Sequence, residues 1–175
     1  MRHAEQSTAP FDRPVPAGWT PVEPPRLEGG RGSFVTGDSD SGRLRVAYFR
    51  VAGRAGLAGR AWFGAGAAGP PGFAHGGAIA AVLDEAMGAA AWHGGHRVVA
   101  VRLETNFRRL VPLGATADLD AEVTGVDGRK VRARARLVDA AGEVYADAEG
   151  LFVTLDPARF GDLLAAAARA FGVPP

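Results

Sequence analysis

The sequence predicts an α+β domain: an antiparallel β-sheet wrapped around one long central α-helix. Three observations carry this. From Ala78 to Trp92 only Asp84 and Glu85 are charged, and a helix that is apolar nearly all round belongs inside a core. Four β-like segments follow it, about 97–108, 115–126, 129–138 and 143–155. Their connections are short, which demands antiparallel pairing of neighbours.

Each element has its own local signal. Residues 1–32 hold Pro10, Pro14, Pro16, Pro21, Pro24 and Pro25, a density that blocks helix and central strand alike. This Pro-rich N-terminal tail reads as an extended segment laid over the surface and anchored by Trp19, with plain disorder as the alternative. Ordered structure begins near Ser33, and 37–42 is a turn by composition. Leu44 to Val51 reads as a strand with partial alternation, and Leu57 to Phe63 as a second. Gly64 to Gly72 is a Gly/Pro loop. The helix runs from Gly77 to His93 and is stopped by Gly94-Gly95. Gly114, Asp127-Gly128 and Ala141-Gly142 separate the later strands, and Asp127-Gly128 has hairpin-turn composition. Asp118, Asp120 and Glu122 alternate with apolar residues, as do Arg132, Arg134 and Arg136, so acids and arginines should pair across a wet sheet face. Asp156 is a plausible N-cap and Pro157 a first-turn residue of a last helix, with Phe160, Leu163, Leu164, Ala167 and Phe171 on its apolar face. The division is thus 1–32 tail, 33–156 main domain and 157–175 C-terminal helix.

Bulk composition narrows the function classes. A chain of 175 residues suits one domain, and a formal net charge of +1 gives no electrostatic case for nucleic acid or an anionic membrane. The chain holds no cysteine, so a disulfide scaffold, a cysteine nucleophile and a thiolate metal site are excluded. That fits a cytoplasmic location. The first residues lack the apolar core of a signal peptide, and the longest apolar stretch is cut by Asp84 and Glu85.

The chemistry concentrates in His75-Gly76-Gly77 and the helix that follows. A Gly-Gly turn at a helix N-terminus exposes backbone N–H groups. A carboxylate in an apolar run is costly unless it is paired, solvated or used. Carboxylate plus oriented donors is a kit for hydrolysing an acyl group. Glu85 lies about a quarter turn from Asp84; its reading is a bond to another chain or a neighbouring strand. His93 and His96 read as loop histidines at the helix end rather than metal ligands, and Trp92 as core or interface.

GFAHGGAIAAVLDEAMG, TNFRRLVPLG and VDGRKVRARARLVDAAGEVYADAEGLFV together resemble the hotdog-fold acyl-CoA thioesterases, closest to the PaaI-type and THEM4-like branch, over roughly residues 60–156. The resemblance implies hydrolysis of acyl-CoA to free acid and coenzyme A. The family's catalytic carboxylate, general base or nucleophile, stands nine residues after the motif His and matches Asp84. The N–H that polarises the thioester carbonyl matches Gly77, with Gly76 beside it, and His75 carries over as a supporting residue. Coenzyme A contacts match Phe107, Arg108 and Arg109, and the turn Gly128, Arg129 and Lys130, where cationic groups suit nucleotide phosphates. No metal or redox cofactor is implied; coenzyme A enters as part of the substrate. The partner implied is a second copy, as a homodimer or dimer of dimers, with His75–Gly77 and Asp84 of one site coming from opposite chains. Two positions depart from the family pattern. Ala100 stands where many relatives have Thr or Ser, and Leu110 where Pro is usual. A non-catalytic acyl-CoA binding module and a hotdog enoyl-CoA hydratase are the rival readings; the hydratase motif is not found.

Overall fold

The computed structural model describes residues 13–22, 34–36 and 42–156, with residues 158 and 161. Strands β1 (Trp19–Val22), β2 (Leu44–Val51) and β3 (Leu57–Phe63) precede helix α1 (Gly76–His93); β4 (Val98–Phe107), β5 (Thr116–Asp127), β6 (Lys130–Val138) and β7 (Val144–Thr154) follow. All seven strands form one antiparallel sheet, ordered β1-β2-β3-β5-β6-β7-β4. The expected segments are thus found to within a residue or two.

Alternation sorts the two faces. Along β6, Val131, Ala133, Ala135 and Leu137 are buried while Arg132, Arg134 and Arg136 are exposed. The inward rows close on α1, which packs against β3 through β7, and Phe63, Leu83, Met87 and Leu137 are among the fully buried side chains. On the outer face Arg134 Nε donates to Glu122 Oε1 (2.7 Å) and Arg136 Nη2 to Asp120 Oδ2 (3.2 Å), the cross-strand pairing the alternation predicts. Among the described residues Arg132 finds no acid, because the register shifts between Val123 and Gly125 and sets it opposite Gly125.

Three expectations need correction. Strand β4 does not pair with its successor: residues 108–115 carry the chain across the sheet, so β5 joins β3 and β4 ends at the edge beside β7. A connection of that length permits a crossover that a two-residue turn forbids. The N-terminal segment is more than a tail. Pro21 sits in β1, an edge strand on β2 where a missing N–H is tolerated, and the Trp19 ring packs on Phe49 at 5.3 Å. Upstream, the buried Arg60 guanidinium donates to the carbonyls of Arg13 and Pro14 and pairs with Asp118 (3.4 Å), pinning this segment to the outer face. Helix α1 is not enclosed all round, since Ala80, Ala81, Asp84, Glu85 and Gly88 are only half-buried. The cap expected at Asp156 is present: its Oδ1 accepts from the Ala158 N–H (3.0 Å). The rest of the expected C-terminal helix, and the 37–42 turn apart from Gly42, lie outside the described residues.

Candidate active site

Helix α1 starts from a tightly tied turn. The N–H of His75 donates to Ala67 O (2.7 Å) and that of Ala74 to Val111 O (2.9 Å). A Cβ at Gly69 would stand 2.7 Å from His75 Cα, so the loop closes this tightly only with glycine there. His75 is the N-cap in extended conformation, and its Nδ1 accepts from the Gly77 N–H (2.9 Å). The Gly77 donor is therefore occupied by the chain's own histidine rather than open, a point the sequence did not foresee. Both residues are exposed, so the ring has room to turn away. Gly76 lies beneath Phe107, whose ring atom is 3.4 Å from where a Cβ would stand.

Asp84 is two turns further along the same helix. Its Oδ1 is buried and has no hydrogen-bond partner among the described residues. Burial pushes its carboxyl above the ordinary aspartate range, with no cation acting against it. Such a carboxylate is a better proton acceptor than a surface one. Glu85 behaves differently. The Tyr48 hydroxyl, on β2, donates to Glu85 Oε1 (3.3 Å), so Glu85 is engaged with a neighbouring strand as the sequence suggested. Burial first, and the Glu85 charge second, hold the Tyr48 phenol well above its usual range, and the Asp84 charge adds to this. Tyr48 escaped the sequence reading because an aromatic in an alternating strand signals only core.

The remaining candidates divide by position. Arg108 is bound to Asp147 (Nε to Oδ2, 2.7 Å). Arg109 is bound to Asp139 (2.8 Å) and the Glu143 carbonyl (2.8 Å), and lies over the Tyr145 ring. Gly128 adopts φ +53° in the β5–β6 turn, Arg129 donates to Thr154 O (3.1 Å), and Lys130 is exposed. Phe107 pairs with Ala146 and Lys130 with Val153, so the two expected coenzyme A segments stand at opposite ends of β7, on the order of 23 Å apart in one protomer. Ala100 is opposite Phe152, on the inward side of β4 and toward the far end of the helix from Gly76.

An antiparallel sheet curled round one helix that carries an acid behind a His-Gly-Gly cap is a hotdog architecture, and residues 71–146 match the family model of the thioesterase superfamily. The hotdog fold of that superfamily is the fold of this chain. A crystallised thioesterase superfamily protein superimposes with a TM-score of 0.59 and 32% identity, covering 62% of this chain and 56% of that one. The Escherichia coli PaaI protein superimposes at 0.53 with 20% identity, over 55% of this chain and 74% of that one, a likeness of fold alone. In sequence, the chain is 37% identical over 91 residues to bovine acyl-coenzyme A thioesterase THEM4, which is 51% of this chain. The match spans 37% of the length of that relative. The chain is thus similar in sequence to acyl-coenzyme A thioesterase THEM4 and in fold to the PaaI protein.

Proposed function

We propose that this chain hydrolyses acyl-CoA thioesters. The observation that carries the reading is the Asp84 carboxyl: half-buried, raised above its usual range by desolvation alone, with one oxygen unpartnered. The thioester carbonyl takes the Gly77 N–H of one copy when its exposed His75 ring turns aside, the positive end of that helix dipole stabilises the developing oxyanion, and Asp84 comes from the other copy. Asp84 then removes a proton from water as it adds, or attacks directly to give an anhydride that water opens.

The site is completed by a second copy. Among the described residues strand β4 is a free edge exposing Val99 (44%), Val101 (55%) and Leu103 (38%), a surface that a monomer in water would not leave bare. Antiparallel pairing of two β4 edges about a two-fold axis sets the Phe107 end of one protomer beside the Val98 end of the other. The Phe107–Arg109 segment then reaches the partner's Gly128–Lys130 turn, and the two cationic segments that are far apart in one protomer close on one coenzyme A tail. A dimer of dimers is the extension of this arrangement.

Two observations favour a rival, a binding module without turnover: Ala100 lacks a hydroxyl, and the Gly77 donor is occupied. One assay separates them. Free-thiol release is measured on short, long and aroyl-CoA substrates for the wild type and Asp84→Asn. Turnover lost on the substitution, with coenzyme A binding kept, supports the enzyme. Binding of coenzyme A without thiol release by the wild type establishes the module.

A further inference from the structure

Only two buried side-chain oxygens lack a hydrogen-bond partner among the described residues, Asp84 Oδ1 and Thr105 Oγ1. A buried hydroxyl without a partner costs free energy and asks for a reason. Thr105 lies on β4 opposite the buried Ala148, between Leu103 opposite Gly150 and Phe107 opposite Ala146. These are inward positions, so the Thr105 side chain stands on the helix side of the sheet.

Two contacts fix the phase of helix against strand. Phe107 sits over Gly76, and a Cβ on Gly150 would lie 3.2 Å from Met87 Cε. Gly76, Ala80, Asp84 and Met87 follow one another along one side of α1 at three- and four-residue spacings. Helix and strand therefore run antiparallel. Gly76 to Met87 spans about 16 Å of helix, and Phe107 to Leu103 about 13 Å of strand. Thr105, midway on the strand, faces the Ala80–Asp84 part of the helix.

We propose that the Thr105 hydroxyl positions the hydrolytic water against Asp84, taking the part that Ala100 cannot supply. The proposal rests on the thioesterase reading above. The two oxygens do not bond each other, so a water between them satisfies both. Asp84 accepts one proton of that water, and Thr105 holds it by a second hydrogen bond that aims the oxygen lone pair at the carbonyl carbon. As the oxygen adds, the proton passes to Asp84. The carbon–sulfur bond then breaks, the leaving thiolate takes that proton, and free acid and thiol result. Thr105 exchanges nothing and is a positioning residue.

The test compares Thr105→Val and Thr105→Ser in the full chain, with Asp84→Asn alongside, by free-thiol release and thermal melting. Misplacing the water lowers kcat by about ten- to a hundredfold in Thr105→Val, with KM nearly unchanged. Its Tm stays close to wild type, because valine fills the same space as threonine. Thr105→Ser keeps kcat close to wild type despite losing the methyl. Thr105→Val turning over at the wild-type rate while Asp84→Asn is dead overturns the proposal and leaves the thioesterase reading intact. Equal losses in Thr105→Val and Thr105→Ser, with KM raised in both, also overturn it, since packing rather than the hydroxyl then matters. An active Asp84→Asn overturns the underlying reading itself.

Discussion

Asp84 links chemistry to stability with a definite sign. An unfolded Asp titrates near 3.8, and burial raises the native value above that. The native state therefore holds its proton to higher pH, and the stability this contributes is complete below the unfolded value and lost as pH rises through the native one. At neutral pH the charged carboxylate is a cost. Asp84→Asn is expected to melt at a higher temperature than wild type at pH 7, with the gain gone near pH 3, as calorimetry at the two pH values will show. The acid limb of kcat against pH should lie above the ordinary carboxylate range in the wild type. Its neighbour behaves in the opposite manner: Tyr48→Phe strips Glu85 of a buried donor and should cost about 1–2 kcal/mol in urea unfolding. The sequence distinguished these adjacent acids only by spacing from His75. What it lacked was Tyr48, since a contact from β2 to α1 has no local signature.

At the scale of elements, the helix was readable nearly to its ends. His75, Gly94 and the apolar run are local signals, and local signals survive folding. The cap was harder. A His before Gly-Gly promises open N–H groups, yet the imidazole folds back on Gly77 because its own Nδ1 is the nearest acceptor. His75→Ala removes that cap and should cost about 1 kcal/mol of stability, by analogy with other N-cap losses, while leaving the Gly77 N–H open to substrate. A chemical melt together with KM for an acyl-CoA checks both effects, and a fall in KM marks His75 as a competitor for the donor. Strand order was not legible for a related reason. Each of β4 to β7 announces itself by composition, but a connection of intermediate length does not say whether the next strand pairs or crosses.

For the whole molecule, the apolar edge of β4 is the feature that assembly must answer. Val101→Lys places a charge on it at a position that is already exposed, so folding should persist while association fails. Light scattering should then report a monomer, and thiol release should fall with it if, as proposed, each site draws on two chains. A variant that remains dimeric and active removes β4 from the interface. The opposite end of the sheet tells against open-ended growth. Strand β1 is four residues long, carries Pro21 in its middle, and is held down through Arg60 and the carbonyls before it. Such a margin offers a poor template to a further chain. Ribbons of sheet that propagate do so because both borders are sticky; in the proposed assembly only the β4 border pairs, so growth through it halts at a pair. The short strand around Pro21, in a segment read from the sequence as laid over the surface and anchored by Trp19, is on this account the terminator that keeps a protein with an apolar strand edge from becoming a fibre.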